Sequence, residues 1–187
     1  FEQFNVDILI KGVGELGISH SEPAYWSLHG PVIKGKFATY AIRYSWENNI
    51  NIIDQWYKMN KAKNFKEFNS ALSIMALPMF NTGYADKTGN IFYLYNAKLP
   101  YRNNNYNWAK VVPGDTSATL WGEYFEYNEL PKILNPKSGY IQNCNNGPLF
   151  SIDNYNTLFN PDIYNGIENT NTNRSMRSIE LFTEYNK

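Results

Sequence analysis

Between Met79 and Tyr95 the chain reads as a strand, a four-residue turn, Asp86-Lys87-Thr88-Gly89, and a second strand. Asp, Thr and Gly are turn formers, and so short a connection folds the second strand back along the first as a hairpin. The stretch just before it has helical periodicity. Asn64 is a good N-cap with Glu67 three residues on. Phe65, Phe68, Leu72 and Met75 then fall on one stripe, and Pro78 ends the element. An earlier helix is predicted from Asn48 or Asn49, with Ile50, Ile53 and Tyr57 at helical spacing and Ile52, Trp56 and Met59 alongside.

Strands are predicted at Val6–Lys11, Ala24–Leu28, Pro31–Ile33 and Ala38–Tyr44, with glycine-rich loop chemistry at 12–23. Residues 100–118 read as a long ordered loop. Glu129–Leu134 reads as a short helical turn, Gly139–Asn143 as extended chain, and Asn173–Tyr185 as a helix with Met176, Ile179 and Phe182 spaced by three. Strands and helices sit in segregated blocks, which implies an α+β fold with mixed or antiparallel sheet. No linker or repeat interrupts the 187 residues, so residues 1–187 are expected to form a single piece.

Composition excludes several function classes. Seventeen basic residues balance seventeen acidic ones, and Lys58, Lys61, Lys63 and Lys66 read as a solvated helix face. Nucleic acid is not expected as a partner. One cysteine, Cys144, leaves no internal disulfide, and two histidines, His20 and His29, do not suggest a zinc cluster. No apolar run approaches the roughly 20 residues that span a bilayer. The aromatic content of 17% is high and Tyr dominates it, which suits half-buried strands and also ligand-lining surfaces.

The chemical signature lies in Gly139-Tyr-Ile-Gln-Asn-Cys-Asn-Asn-Gly-Pro148, where Asn143, Asn145 and Asn146 crowd into four positions. A carboxamide NH2 is a donor that never titrates, suited to an oxyanion or an acyl carbonyl. Asparagines before Gly-Pro also hold turns through Asx hydrogen bonds, and both readings stand at this point. His29 reads as structural, at a strand turn, and Cys144 as a small apolar group. Trp108 and Trp121 suit packing or the lining of a pocket.

The ordered series Leu28-His-Gly-Pro-Val-Ile33, Ala62-Lys-Asn-Phe-Lys-Glu-Phe68, Ala76-Leu-Pro78, Tyr84-Ala-Asp86, Gly89-Asn-Ile91, Pro100-Tyr-Arg102, Val112-Pro-Gly114, Leu134-Asn-Pro136, Gly139-Tyr-Ile141 and Asn143-Cys-Asn-Asn146 resembles the penicillin acylase family of N-terminal-nucleophile hydrolases. The resemblance covers roughly residues 24–182. It implies part of an αββα sandwich with mainly antiparallel sheet, incomplete in this chain. In that family a precursor is cut in two, and the larger chain starts with a serine nucleophile whose own α-amine is the base. The resemblance places this chain downstream of that serine, so the 187 residues alone are expected to be inactive. It implies that Asn145 is the oxyanion-hole asparagine and that Arg174, at the start of the last helix, is the active-site arginine.

The same resemblance implies as partners the remaining segments of the same acylase and a small acyl amide substrate, of the penicillin or acyl-homoserine lactone type. It implies a periplasmic or extracellular location. No cofactor is expected, although a structural calcium accompanies full-length relatives and Asp153 lies near the matching stretch. Cys144 stands where penicillin G acylases usually carry tryptophan. The alternatives are a stand-alone carbohydrate- or peptide-binding module and a degenerate, non-catalytic acylase relative.

Overall fold

A long antiparallel ladder opens the chain. Strand β1 (Glu2–Lys11) pairs along its whole length with β2 (Gly17–Ser27), from Glu2 opposite Trp26 to Lys11 opposite Gly17. Strands β3 (Gly30–Lys34) and β4 (Thr39–Ala41) follow, giving an antiparallel sheet in the order β1-β2-β3-β4. Pro23 is tolerated inside β2 because β3 pairs only with Tyr25–Ser27, so no ladder bond is needed on the open side of Pro23. The β2–β3 turn is tied by Ser27, whose hydroxyl accepts from His29 N and donates to Gly30 O, both at 3.2 Å. Gly30 has φ +113°, and a Cβ there would meet Ile42 O at 2.3 Å, so only glycine fits.

The structure, a computed structural model, describes residues 2–11, 17–45, 49–95, 98–152, 160, 163–168 and 170–185. The chain divides into two compact units, residues 1–44 with 113–120, and residues 45–112 with 121–187. In the first unit Phe4, Leu28, Ile33, Phe37, Tyr40 and Ile42 are all exposed. None of its described residues belongs to a buried hydrophobic cluster.

The second unit holds the core. Strands β5 (Thr82–Ala85), β6 (Ile91–Leu94) and β7 (Lys132–Leu134) form an antiparallel sheet with β6 in the middle. Phe92, Tyr93 and Leu94 are all buried, so both faces of β6 are covered. Two helices precede the sheet, α1 (Ile52–Lys61) and α2 (Phe65–Leu72). Helix α2 lies on the β5–β6 hairpin: the Phe65 ring is 5.5 Å from Tyr84 and 5.1 Å from Phe92, and Phe68 is 4.7 Å from Tyr84. Its start is capped as expected. Asn64 Oδ1 accepts from Glu67 N at 3.0 Å, and the Glu67 carboxylate returns to Lys63 N at 2.9 Å. The chain ends in α3 (Asn173–Tyr185), with the predicted bounds.

Several expectations are corrected. Helix α1 starts at Ile52, because Asn49 Oδ1 accepts from Asn51 N and bends residues 49–51 into an Asx turn. Ile50, Ile53, Trp56 and Tyr57 face outward, whereas Gln55 is buried. Helix α2 stops at Leu72, short of Pro78. Ala76 N is taken by Gln55 Oε1 at 2.6 Å, and Met75 turns through φ +55°. The predicted helical turn at Glu129–Leu134 is a 3-10 turn at Tyr127–Glu129 followed by strand β7, since Pro131 interrupts helical bonding and 132–134 join the sheet. Ala38–Tyr44 contributes only the three-residue strand β4. Along α3, Met176 and Phe182 are exposed and Ser175 is the buried residue.

Candidate active site

The loop Asn143–Asn146 is built from interlocking side-chain amides. Asn143 Oδ1 accepts from Asn145 N at 3.1 Å, and Asn146 Oδ1 accepts from Cys144 N at 2.8 Å. The first is an Asx turn and the second reaches back across it, and together they hold Asn145 in the left-handed region at φ +59°. Asparagine tolerates that region better than most residues. Asn146 is 1% exposed, and its NH2 donates to Gly147 O at 2.9 Å and Ser151 Oγ at 3.5 Å. Asn146 is therefore a turn holder. Cys144 is a free thiol, half-buried, and it serves the loop through its peptide group.

Helix α3 brings the second predicted residue to this loop. Thr172 Oγ1 accepts from Ser175 N at 3.1 Å, the bond of an N-cap, which places Arg174 in the first turn. One of its guanidinium nitrogens, Nη2, lies 3.0 Å from both Cys144 O and Asn145 Oδ1. The two predicted site residues thus meet. The contact also fixes the Asn145 amide. Arginine has only donors, so the atom facing it is the carbonyl oxygen, and the NH2 lies on the other side. That NH2 makes no hydrogen bond to any described residue, and Asn145 is exposed. A cation in the first turn opposes the helix macrodipole, so this position does not serve helix stability. Arg177, not Arg174, takes the helix's own acids, with Glu180 at 2.9 Å and Glu184 at 3.7 Å.

A buried layer lies underneath. Gln142 Nε2 donates to Ser175 Oγ at 2.8 Å and also to Phe150 O, while Gln142 N donates to Ser151 O at 2.8 Å. Ser175 and Ser151 are fully buried. These bonds tie the residue before the loop to the residue after Arg174. Asn81, just ahead of β5, also reaches the loop, from 62 residues upstream. Sequence reasoning gave no role to Gln142, Ser175 or Asn81. Each acts through a partner far away in the chain, and a lone Gln, Ser or Asn carries no local pattern. The floor of the neighbouring groove is different: a 550 Å³ cleft runs from Gly139 and Tyr140 to Ser178, Leu181 and Phe182, with the Tyr140 and Phe182 rings stacked at 4.4 Å.

The remaining candidates have structural roles or lie outside the description. The Arg102 guanidinium makes cation–π contacts to Trp108 at 5.6 Å and Trp121 at 4.9 Å, and burial lowers the Arg102 pKa. Asp86 serves its turn by accepting from Thr88, Asn90 and Tyr84. Asp153 lies outside the described residues. Among the described residues no group of three His, Cys, Asp or Glu side chains could hold a metal. No described helix is long and apolar enough to cross a membrane.

Chemically, an amide held by its oxygen and presenting two N–H donors can stabilise an anionic oxygen. A family profile for penicillin amidase matches residues 1–186. Penicillin G acylase of Escherichia coli is 32% identical over 126 residues, covering 65% of this chain and 15% of that protein. Acyl-homoserine lactone acylase PvdQ of Pseudomonas fluorescens (strain Pf0-1) is 27% identical over 168 residues, covering 75% of this chain and 21% of that protein. The solved thermostable penicillin G acylase from Alcaligenes faecalis matches with a TM-score of 0.72 and 28% identity, over 98% of this chain and 31% of its own. The chain therefore spans less than a third of each of these proteins. With antiparallel sheets and helices arranged as in a solved acylase, and the profile matched from end to end of the described residues, this chain belongs to the penicillin amidase family.

Proposed function

We propose that this chain is an internal part of the large subunit of a penicillin acylase-like amidohydrolase. It supplies the oxyanion donor Asn145 and its orienting partner Arg174. The observation that carries this reading is the Arg174–Asn145 contact, which directs a carboxamide NH2 outward from a braced loop. In the reaction, a serine Oγ from elsewhere in the protein attacks the acyl carbonyl carbon and gives its proton to the serine's own α-amine. The carbonyl oxygen becomes an oxyanion and accepts from Asn145 Nδ2. The C–N bond breaks, the amine leaves with the proton, and water then hydrolyses the acyl ester.

The substrate class is an acyl amide. The two relatives carry different names in this respect, a penicillin G acylase and an acyl-homoserine lactone acylase. The rest of the same acylase is the partner, and the periplasm or the cell exterior is the compartment. The exposed apolar side chains of β1–β4 and of α1 support such a partner, because a self-contained binding module would cover them.

Two measurements test the proposal. The full-length protein should hydrolyse a chromogenic acyl anilide and form an acyl adduct, detectable by mass spectrometry, on a serine at a processed N-terminus. The 187-residue chain alone should do neither. Lack of any amidase activity in the processed full-length protein, or activity in the isolated chain, would refute it.

A further inference from the structure

The Asn81 carboxamide reaches the site loop from outside it. Its Nδ2 donates to Asn143 Oδ1 at 3.1 Å and to Asn146 O at 3.4 Å. Asn143 Oδ1 is the same atom that accepts from Asn145 N. One side chain therefore grips the residues on both sides of the Cys144–Asn145 pair. Two residues on, a Cβ at Gly83 would stand 3.3 Å from Ile141 Cδ1. With 81 beside 143 and 83 beside 141, the residues leading into the loop run antiparallel to the start of β5. Strand β5 is itself locked to β6 from Thr82 onward. Asn81 thus connects the frame of the sheet to the one residue of the loop that stands at positive φ. Asparagine tolerates that conformation without being confined to it, so these bonds are what select it over the right-handed and extended regions.

We propose that Asn81 is a positioning residue for the oxyanion donor. It clamps Asn143 and Asn146 so that Asn145 keeps its left-handed backbone and presents its carboxamide to the substrate carbonyl. This inference rests on the acylase reading given above. The clamp needs two N–H donors on one planar nitrogen. Aspartate has the same shape but would set a carboxylate oxygen against two acceptor oxygens. Serine offers a single donor.

The test uses the full-length protein, with active sites counted by burst titration, and measures kcat and KM on a chromogenic acyl amide. The variants are Asn81→Ala, Asn81→Asp, Asn145→Ala and the double variant Asn81→Ala/Asn145→Ala. Both Asn81 variants should lower kcat per titrated site by about 10- to 100-fold, as expected for a misplaced catalytic group. Their KM should stay within about threefold of wild type, since only a transition-state contact is lost. The double variant should be no slower than Asn145→Ala, because Asn81 acts only through Asn145. Where Asn81→Ala yields no processed protein, Asn81→Ser keeps one donor and should show an intermediate kcat. A wild-type kcat per site in the Asn81 variants, or losses that multiply in the double variant, would overturn this proposal alone. A wild-type kcat in Asn145→Ala would overturn the acylase reading of the site, and the clamp with it.

Discussion

An asparagine amide presents an acceptor and a donor of nearly the same shape, and what decides its use is which end is held. At Asn145 the holding partner is Arg174, and this makes a prediction about Arg174 itself. Its guanidinium sits in the first turn of α3, where a cation costs about 0.3–1 kcal/mol against the helix macrodipole. Arg174→Met should therefore leave thermal stability nearly unchanged. It should lower kcat by about 10- to 100-fold, because the amide oxygen loses the partner that keeps the NH2 turned outward. Arg174→Lys should restore little, since an ammonium on a flexible stem does not fix the direction in which Nη2 meets Cys144 O and Asn145 Oδ1. Thermal unfolding and kcat measured on the same preparations check this. A destabilised variant with normal kcat per active site would show a structural arginine instead.

At the scale of elements, the β5–β6 hairpin makes a prediction about pH. The Asp86 carboxylate accepts from Thr88 Oγ1 at 2.6 Å, Asn90 Nδ2 at 2.9 Å, Tyr84 OH at 2.9 Å, Thr88 N at 2.8 Å and Asn90 N at 3.1 Å. The Thr88 hydroxyl first, then the Asn90 amide, hold its carboxyl far below the usual carboxylate range. The unfolded chain binds a proton near pH 3.9, roughly the ordinary Asp value, and the folded chain only at lower pH. The stabilisation is thus fully present above about pH 4 and disappears as pH falls toward the folded-state value. Melting curves from pH 6 to pH 2 should fall more steeply below pH 4 for wild type than for Asp86→Asn. Parallel curves would contradict the role given to Asp86. At the start of α2, Asn64→Ala should cost about 0.5–2 kcal/mol in denaturant unfolding, the usual effect of losing an N-cap. A variant as stable as wild type would show that Glu67 alone carries the cap.

What was legible in the sequence follows the same division. Asn64 could be read because its partner Glu67 is three residues away, and α3 because helical spacing and a polar start coincide at Asn173. The hairpin was legible from its turn. The outward stripe of α1 was not. Periodicity reports that Ile50, Ile53 and Tyr57 share a face, and it is silent on what covers that face. Glu129–Leu134 misled because Pro131 suits both a first helical turn and the approach to a strand. At the site, Asn145 and Arg174 came from the resemblance, whereas the braces Asn81, Gln142 and Ser175 came only from coordinates, since their bonds join residues 33 to 65 positions apart.

For the whole molecule, the two units leave large apolar side chains in water, among them Phe37 at 92%, Ile50 at 87% and Leu28 at 81% exposed. Large apolar side chains this exposed suit places where other protein docks. The isolated chain should therefore bind a hydrophobic dye and self-associate in light scattering, whereas the full-length protein should do neither. A dye-silent monomer would argue for a closed module. The central claim is that Asn145 serves an oxyanion generated by a serine outside these 187 residues. Its most direct test is kcat per titrated active site for Asn145→Ala in the full-length protein. The account predicts a loss of about 100- to 1000-fold with sites still able to be acylated. A kcat within about twofold of wild type would contradict it, because a donor used only in the transition state cannot be removed without slowing turnover.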